Sequence, residues 1–409
     1  MKMPRVSFEE SLENGVVLAG KCVGCAACVI VCPFNCLDYE AQRPKIVNEC
    51  KICGICPNVC PQYDVSWSAL EEFVFGRRSK PQEKFGIYKL LAIAQATDKN
   101  ILQVGQDGGV VSALLSFALE NGTIDGGAIS GTSKGRKSAS KKLADMVPDS
   151  SNAEKLPSDL AKTILYYWQR DQLATGVGLQ RLLEATTTLE PGNTIYPVPR
   201  LATTSEEILD CAGTKYFYSP NLLAFWGGVK QNNKSIAFVG TPCQISAIRR
   251  IQMVPLKKYA NKLGIAIGLM CTESFTYDGL MKKHIQGIMN INPQDIKKIN
   301  IKGKVSITLQ NGETKEISLS EAKQYTRTSC VLCSDFSAEL ADISVGGLGL
   351  TNWSFTILRT PKGVELFEEA EKANVIRTRP VETEEKALHL LNNLSMKKRK
   401  RRQWTLTSH

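Results

Sequence analysis

Two short segments of this chain repeat one cysteine spacing, C-x2-C-x2-C-x3-C, and each copy is followed at once by proline. The residues of the two copies are Cys22, Cys25, Cys28, Cys32 and Pro33, then Cys50, Cys53, Cys56, Cys60 and Pro61. Such close spacing lets one loop present three thiolates to three corners of one iron–sulfur cube. The repeat therefore predicts that residues 1–65 form a small module organised around metal ligands.

The double repeat is the signature of bacterial ferredoxins that bind two [4Fe–4S] clusters, in which the fourth cysteine of each run ligates the other cluster. The first cluster is therefore predicted on Cys22, Cys25, Cys28 and Cys60. The second cluster is predicted on Cys50, Cys53, Cys56 and Cys32. Zinc is the alternative, but a zinc site usually closes with four ligands from two C-x2-C pairs. Eight cysteines with trailing prolines favour the two clusters.

Length and composition are typical of a globular protein with more than one domain. The 409 residues are 43% apolar and 22% charged, which suffices for two or three domains with cores of their own. No apolar run reaches the ~20 residues that span a bilayer. The N-terminal residues lack the apolar segment of a signal peptide. We therefore expect a cytoplasmic protein whose cysteines bind metal rather than form disulfides, with peripheral contact to the inner face of a membrane left open.

A run of basic residues at 397–402 contributes to a formal net charge of +11. Such charge runs are usually solvated and disordered, and this is the interpretation favoured here. The alternative is a contact with an acidic partner or an anionic membrane surface. The sequence contains no motif typical of RNA- or DNA-binding proteins, so nucleic acid is not expected as a partner.

The cysteines and the apolar segments divide the chain into a module, a linker and a larger body. Residues 66–87 contain a polar stretch with glycine and proline and are predicted to be the linker. The body alternates strands and helices, with an insertion expected at 131–157, a helix at 158–190 and a hairpin around Asn311-Gly312. The predicted domains are 1–65, 88–190, 191–370 and a helical, basic tail at 371–409. The expected fold class is α+β or α/β, a ferredoxin module followed by an α/β body.

Four further cysteines lie where an α/β sheet forms sites. Cys243 follows an apolar strand, Cys271 ends the next strand, and Cys330 and Cys333 form a C-x2-C pair. Because the carboxyl ends of parallel strands meet at one edge, these thiols are expected to converge on a third metal site. The alternative is a set of buried or redox-inert thiols. Cys211 stands apart and is predicted to be a small buried apolar residue.

Two glycine-containing turns suggest where an anionic cofactor binds. Gly108 and Gly109 precede a predicted helix, whose free N–H groups can hold a phosphate. Thr214 and Lys215 supply a hydroxyl and an ammonium group beside Gly213. Both features also fit an ordinary helix start and an ordinary turn. No G-x-G-x-x-G follows a strand, so a Rossmann dinucleotide site is not predicted.

Several motifs of the body follow one another in a recognisable order. They are residues 107–115, 212–216, 219–221, 239–244 and 268–271, the pair Cys330 and Cys333, residues 341–346 and Trp353. With these motifs the chain resembles, from residue 89 to residue 363, the beta subunit family of coenzyme F420-reducing hydrogenase and F420H2 dehydrogenase. That family also contains formate dehydrogenase beta subunits. The N-terminal ferredoxin module makes the chain most similar to the dehydrogenase-type input subunit.

The resemblance implies one FAD in the 88–190 part, a third [4Fe–4S] cluster on the four body cysteines of the 191–370 part, and coenzyme F420 as substrate. It also implies hydride transfer between F420 and FAD. F420 is a deazaflavin that carries electrons only in pairs, whereas FAD also exchanges single electrons with the clusters. The electron partner is expected to be a subunit of a hydrogenase, a dehydrogenase or a respiratory complex. No acid–base residue is assigned. The residues expected to contact or approach FAD are Gly108, Gly109, Thr214, Lys215, Gly240 and Thr241.

Two other functions are compatible with the resemblance. Some relatives are ferredoxin-dependent reductases of chlorophyll-type tetrapyrroles, in which electrons flow from clusters through FAD to the substrate. The third hypothesis is a non-catalytic electron-transfer subunit that bridges two enzymes. Tightly bound FAD argues against the non-catalytic subunit. Reduction of FAD by reduced F420 distinguishes an F420-dependent oxidoreductase from a ferredoxin-dependent reductase.

Overall fold

The computed structural model describes residues 5–132 and 196–406, so most of the predicted insertion at 131–157 and the whole predicted helix at 158–190 lie outside the described residues. The strands, numbered in chain order, are β1 (Leu37–Glu40), β2 (Arg43–Ile46), β3 (Leu90–Ala96), β4 (Gly126–Thr132), β5 (Pro197–Ala202), β6 (Ile236–Gly240), β7 (Leu263–Leu269), β8 (Ile296–Ile301), β9 (Lys304–Leu309), β10 (Thr314–Ser318), β11 (Ile343–Gly346), β12 (Ser354–Leu358) and β13 (Ile376–Arg379).

The helices of the described residues are numbered in the same way. They are α1 (Glu9–Val17), α2 (Ala27–Val31), α3 (Ile55–Val59), α4 (Trp67–Phe75), α5 (Lys99–Val104), α6 (Val110–Glu120), α7 (Ser205–Asp210), α8 (Asn221–Lys230), α9 (Pro242–Met253), α10 (Lys257–Ala260), α11 (Tyr277–Ile288), α12 (Leu319–Lys323), α13 (Thr328–Val331), α14 (Pro361–Lys372) and α15 (Glu385–Leu406). Single helical turns lie at Pro293–Asp295 and Val381–Glu384.

Three sheets organise these elements. β1 and β2 pair within the N-terminal module, and β8, β9 and β10 form an antiparallel sheet. The largest sheet has eight strands in the order β13-β3-β12-β11-β7-β6-β4-β5. This mixed architecture of helices and a large mixed sheet agrees with the coarse fold class expected from the sequence.

The large sheet brings five strand ends to one edge. β4, β6, β7 and β11 run parallel to one another. β12 is antiparallel to both β11 and β3, so β3 also runs parallel to β11. The C-terminal ends of β3, β11, β7, β6 and β4 therefore share one edge, called here the carboxyl edge. Ligands commonly bind at this edge of a parallel sheet.

Both faces of the sheet are covered by helices. All five residues of β6 are buried, as expected for a strand that is apolar on both faces. α6 and α14 cover one face, where Leu114 and Phe367 join a common core. α8 and α9 cover the opposite face, where Phe225 and Ile248 join a second core.

The N-terminal module packs into the second of these cores. Val31 and Val59 of the module are buried in the same cluster as Ile248 of the body. The Arg250 Nε donates a hydrogen bond to the Asn58 carbonyl at 2.9 Å. Apolar packing and this buried cation therefore fix the module against the body.

The segment predicted as a linker, 66–87, contains α4 rather than an unstructured hinge. Ser66 caps the helix, and Gly76 ends it in the left-handed conformation with a φ of 70°. Leu70 is buried in the core that holds the ferredoxin module against the body. The polar residues after Gly76 dominated the sequence pattern and obscured the apolar face of the helix before it.

The basic tail is ordered over α15. Ala387, Leu391 and Lys398 are buried, and their spacing places them on one helical face. The interpretation of the basic run as solvated and disordered is therefore wrong at Lys398, and at Arg399, whose guanidinium pairs with Glu339 at 2.7 Å. Both cations meet partners from distant parts of the chain, which a count of charges cannot reveal. Within residues 5–132 and 196–406, no helix combines the length and apolar character that a membrane span requires.

Candidate functional site

One cavity in the N-terminal module is lined by cysteines from both repeats. Cys50, Cys53 and Cys56 line it together with Cys32 from the first repeat. The structure thus brings together the four cysteines predicted for the second cluster, called here the second set. Two backbone N–H groups donate to these thiols, Phe8 N to Cys50 Sγ at 3.4 Å and Cys36 N to Cys32 Sγ at 3.3 Å. Donors of this kind are a normal part of iron–sulfur sites.

The four cysteines predicted for the first cluster, called here the first set, are also neighbours. Burial raises the pKa of Cys25 well above its ordinary value, and negative charge on Cys60 and Cys22 raises it further. Burial, followed by charge on Cys25, Cys60 and Cys22, does the same to the pKa of Cys28. Four such thiolates repel one another unless a cation neutralises them, so this donor set fits an iron–sulfur cluster.

Gly24 shapes the loop that carries the first set. Its φ is 71°, and a Cβ at this position would lie 2.5 Å from the Gln42 carbonyl oxygen. Its N–H donates to Cys22 Sγ at 3.4 Å. Only glycine combines this left-handed backbone with so close an approach.

Four cysteines of the body meet at the carboxyl edge. Cys243 lies in the first turn of α9 after β6, Cys271 follows β7, Cys330 lies in α13 and Cys333 just beyond it. Burial raises the pKa of Cys243 to about 12, with contributions from negative charge on Cys333 and Cys330. Burial also raises the pKa of Cys271. The positive charge of Lys398 lowers this pKa, and negative charge on the other three cysteines raises it further. These four cysteines are called the body set.

The described side chains form no site for a single metal ion. In the part of the chain that the structure describes, no group of three or more His, Cys, Asp or Glu side chains converges closely enough to hold one metal ion. The ligands of a [4Fe–4S] cluster bind four different irons at the corners of a cube, so they stand further apart than four ligands of one zinc ion.

Polar groups surround the sulfurs of the body set. Ser274 N donates to Cys330 Sγ at 3.4 Å, and the Thr241 hydroxyl lies 3.3 Å from Cys243 Sγ. The Lys398 Nζ donates to Cys333 Sγ at 3.3 Å. Sequence reasoning missed Lys398, although its spacing from Leu391 along α15 was a usable signal that it lies on the buried face.

Tyr218 and Arg327 lie between the body set and the first set. Burial raises the pKa of Tyr218, and negative charge on Cys243 and Cys25 raises it further. The Arg327 guanidinium lies over the Tyr218 ring at 4.1 Å and donates to the Val23 carbonyl at 3.0 Å. Within the described residues, the buried Tyr218 hydroxyl has no hydrogen-bond partner. The body set and the first set are therefore adjacent, with one aromatic ring and one cation between them.

Gly108 and Gly109 stand at the other end of the carboxyl edge, after β3. Gly108 donates to Ser354 Oγ at 3.0 Å, and a Cβ there would lie 2.5 Å from the Ala94 carbonyl oxygen. Gly109 precedes α6 with a φ of 66° and no side chain caps the helix. Gly108 allows close packing of the chain, and Gly109 allows its left-handed turn. The first turn of α6 keeps free N–H groups at this edge.

Lys215 is engaged within its own loop. Its Nζ donates to the carbonyls of Cys211, Ala212 and Gly213. Burial lowers the pKa of Lys215 to about 8. The ammonium group thus closes the C-terminal end of α7, while Thr214 is exposed. Cys211 is buried, as predicted.

Loops that are distant in sequence meet beside Gly108. The Gln106 Nε2 donates to Asn300 Oδ1 at 3.0 Å, and Lys302 pairs with Asp107 at 3.0 Å. The Tyr216 hydroxyl accepts from the Ile301 N–H at 3.0 Å. Within the described residues, the buried Gln106 Oε1 has no hydrogen-bond partner, so it can accept a hydrogen bond from a ligand. The group is called here the Gln106 cluster and comprises Gln106, Asp107, Tyr216, Asn300 and Lys302.

One short connection joins the Gln106 cluster to the body set. The Tyr216 carbonyl accepts from the Phe275 N–H at 3.0 Å and from the Ser274 hydroxyl at 3.2 Å. Ser274 also donates its own N–H to Cys330. A single residue therefore contacts both groups.

Gly240 and Thr241 lie beside the body set rather than in the Gln106 cluster. Gly240 ends β6, and Thr241 precedes α9 next to Cys243. β6 is four strands from β3 in the sheet, which separates the two strand ends by about 19 Å. The six residues predicted near FAD thus form two groups on one edge. The histidines contribute to neither group in the described residues: His284 contacts the Tyr325 hydroxyl at 3.3 Å and His389 contacts Asn393 at 3.2 Å.

The amino-acid sequence matches two family descriptions over most of the body, and both are headed "Coenzyme F420 hydrogenase/dehydrogenase, beta subunit". The description of the N-terminal part of that family matches residues 91–144 and 180–225. The description of the C-terminal part matches residues 233–384. The coenzyme F420 hydrogenase subunit beta of Methanococcus voltae is 30% identical over 320 residues, which are 78% of this chain and 93% of that protein.

Two further similarities extend the comparison. The coenzyme F420-dependent sulfite reductase of Methanocaldococcus jannaschii is 29% identical over 385 residues, which are 90% of this chain and 49% of that protein. A chain in a solved structure of the F420-reducing [NiFe] hydrogenase complex from Methanosarcina barkeri aligns with a TM-score of 0.62 and 26% identity. That alignment covers 80% of this chain and 93% of the solved chain.

Proposed function

Since this chain belongs to the coenzyme F420 hydrogenase/dehydrogenase beta subunit family, as its motifs predicted, we propose that it is an oxidoreductase subunit that exchanges electrons between coenzyme F420 and a partner protein. The names of its relatives support this, because they include an F420 hydrogenase subunit and an F420-dependent sulfite reductase. The observation that carries the proposal is the adjacency of the body set to the first set, with Ser274 linking the body set to the Gln106 cluster.

Three clusters are proposed on twelve cysteines. The first set and the second set hold one [4Fe–4S] cluster each in the ferredoxin module, and the body set holds a third. The donor chemistry fits, since the thiols are unpaired with one another as disulfides and burial raises the pKa of several of them. Iron supplies the positive charge that makes these buried thiolates stable.

FAD is proposed at the carboxyl edge beside the Gln106 cluster. The first turn of α6 offers N–H groups to a phosphate, and Gln106 Oε1 offers an unused acceptor. Gly108 and Gly109 let the backbone approach the cofactor, and Thr214 offers an exposed hydroxyl on the neighbouring loop. Lys215 acts indirectly in this proposal, because its ammonium group holds the carbonyls of its own loop. Gly240 and Thr241 are proposed to line the side of the site that faces Cys243.

FAD accepts a hydride as an electron pair and releases electrons singly, whereas [4Fe–4S] clusters carry one electron at a time. The residues of this chain then set the route. Ser274 lies between the Gln106 cluster and the body set, and Tyr218 and Arg327 lie between the body set and the first set. F420 carries phosphate and glutamate groups, so a chain with a formal net charge of +11 is an electrostatically suitable host. No residue is assigned to proton transfer.

The electron partner is proposed to dock near the second set, which is furthest along this route. Phe34 lines the cavity of the second set, and Ile52 lies between Cys50 and Cys53 in the chain. These two residues are 52% and 49% exposed. Exposed apolar side chains around a redox centre are typical of the small, transient interfaces of electron-transfer partners. The proposed partner is a subunit of a hydrogenase, a dehydrogenase or a respiratory complex.

The proposal is tested by adding reduced F420 to the anaerobic, iron-reconstituted protein and following absorbance. The expected result is growth of the oxidised F420 band together with bleaching of the flavin and cluster absorbance. If FAD is bound and neither signal moves, F420 is not the substrate, and the ferredoxin-dependent reductase reading replaces it. If no FAD binds, the non-catalytic electron-transfer reading replaces it.

A further inference from the structure

Lys398, in the basic run at 397–402, contacts a sulfur atom of the body set. Lys398 is only 4% exposed, whereas its neighbours Lys397 and Lys400 are exposed. Its Nζ donates to Cys333 Sγ at 3.3 Å, to the Cys271 carbonyl at 2.8 Å and to the Asp335 carbonyl at 3.1 Å. The lysine therefore touches two of the four residues that carry the body set.

The adjacent residues of α15 hold Lys398 in this place. Arg399 donates to both carboxylate oxygens of Glu339, at 2.8 and 2.7 Å, and to the Glu83 carbonyl at 2.9 Å. Arg401 donates to the Cys330 carbonyl at 3.0 Å. Lys398 and Arg401, about one turn apart on α15, thus both contact the segment that carries Cys330 and Cys333. These contacts and those of Arg399 hold the ammonium group beside the sulfur.

A fixed ammonium group beside a cluster thiolate has different effects on the oxidised and the reduced cluster. Reduction of a [4Fe–4S] cluster adds one electron and one unit of negative charge, with no bond formed or broken. A positive charge within hydrogen-bond distance stabilises the more negative, reduced state. The effect is stronger at a buried site, where the dielectric is low and salt screens little. Hydrogen bonds to the sulfurs act in the same direction.

We propose that Lys398 is a positioning residue that raises the reduction potential of the cluster on the body set, so that this cluster accepts electrons readily from the cofactor site. This inference rests on the proposed function for the existence of the cluster. It assigns Lys398 of the basic run to the protein's own redox centre rather than to an acidic partner or a membrane surface.

The test is a dithionite titration of the whole reconstituted protein, followed by EPR. The body-set signal is identified first by the change of its line shape in the Cys333→Ser variant. Midpoint potentials are then measured for the wild type, Lys398→Met, Lys398→Arg and Lys397→Met. Lys397→Met is the matched control, since it removes the same charge from an exposed neighbouring position.

We expect Lys398→Met to lower the midpoint potential by about 59 mV or more, the one-electron equivalent of a tenfold change in the ratio of reduced to oxidised cluster. Lys398→Arg keeps the charge and retains most of the potential, and Lys397→Met leaves it unchanged. A Lys398→Met protein that keeps its full iron content and the wild-type potential overturns the inference.

A purely structural role for Lys398 gives a different pattern. It predicts that Lys398→Met and Lys398→Gln lose iron from the body set, and loss of the body-set cluster from both variants overturns the inference. Retention of the cluster by Lys398→Gln with a lowered potential supports it, because glutamine keeps a donor and removes the charge. A wild-type protein without a third cluster signal refutes the proposed cluster itself, which distinguishes that failure from this one.

Discussion

The guanidinium of Arg327 lies 4.1 Å from the centroid of the Tyr218 ring, and the pair separates the cysteines of the body from those of the first ferredoxin set. Arg327 also donates to the Val23 carbonyl at 3.0 Å, so it ties the ferredoxin loop to the body. The pair therefore joins the two parts of the chain at the place where the body set and the first set are adjacent.

Replacing Arg327 is expected to weaken this joint. Arg327→Met loses a cation–π contact with the buried Tyr218 ring and a hydrogen bond to a carbonyl, which together contribute about 2 kcal/mol to the free energy of unfolding. Chemical denaturation measures the change. Arg78→Met is the control, because Arg78 makes an exposed ion pair with Glu72 that is worth less than about 1 kcal/mol. Equal losses in the two variants would contradict the role assigned to Arg327.

Asp342 is expected to be indispensable to the large sheet. Its carboxylate pairs with Arg249 at 2.9 Å with both side chains buried, and it accepts from the Ala266 N–H and the Thr360 hydroxyl, each at 2.7 Å. Asp342→Asn leaves the buried Arg249 without its counter-charge, so the free energy of unfolding falls by about 3–5 kcal/mol. Asp278→Asn, in an exposed pair with Lys282, is the control and changes it by less than about 0.5 kcal/mol.

The same carboxylate gives a pH dependence with a definite sign. Burial alone raises the pKa of Asp342, but Arg249 and Lys362 outweigh it and hold the pKa below its ordinary value. The stabilising contribution is therefore complete above the unfolded-state pKa of about 3.9 and is lost as the pH falls through the lower folded-state pKa. The difference in unfolding free energy between wild type and Asp342→Asn should shrink as the pH falls below about 4. A difference that stays constant down to pH 2 would show that ionisation of Asp342 is not the cause.

Two glycines with the same backbone conformation offer a matched pair for the first cluster. Gly24 has a φ of 71° and no room for a Cβ, whereas Gly76 has a φ of 70° and nothing within 4 Å of a built Cβ. Gly76→Ala is expected to cost about 1–2 kcal/mol of strain and to leave the iron content unchanged. Gly24→Ala should displace the loop that carries Cys22 and Cys25 and lose one cluster, as iron and sulfide analysis would show. A Gly24→Ala protein with full iron content would remove the argument for a tight loop.

Gln106 is expected to contribute to FAD binding through its unused carbonyl oxygen. Gln106→Met removes the acceptor and keeps the length of the side chain, and should weaken FAD binding by about fivefold, since one hydrogen bond to a buried acceptor contributes about 1 kcal/mol. FAD titration of the apoprotein by fluorescence measures this. Gln103→Met, at an exposed position of α5, should leave FAD binding unchanged. Unchanged binding in Gln106→Met would move the proposed FAD site away from the Gln106 cluster.

Local patterns were sufficient for much of the scaffold. The helix at Val110–Glu120 and the strands at Ile236–Gly240 and Leu263–Leu269 follow from apolar runs bounded by glycine. The hairpin of β9 and β10 follows from Asn311-Gly312, where Gly312 has a φ of 89°. These features depend on neighbours in sequence, so short windows of the chain contain the information.

Contacts between distant segments were beyond such patterns. β12 inserts between β3 and β11, and no local signal distinguishes this order from others. Asn300 and Lys302 join Gln106 and Asp107 across nearly half of the chain. Lys215 was predicted near an anionic cofactor because it follows Thr214 and the flexible Gly213, and in the structure its ammonium group binds the carbonyls of its own loop. The neighbours of β12 and the partners of Asn300 and Lys302 are set by tertiary packing, which short windows of sequence do not contain.

The most direct test of electron transfer from F420 to the flavin and clusters is an electron count on mixing with reduced F420. Reduced F420 is added anaerobically in substoichiometric amounts to the reconstituted protein, and reduced clusters are quantified by EPR. We predict that the electrons lost by reduced F420 appear in reduced flavin and reduced clusters, up to two electrons for each F420 oxidised. A protein that binds FAD, and whose clusters are reduced by dithionite but not by reduced F420, would contradict it.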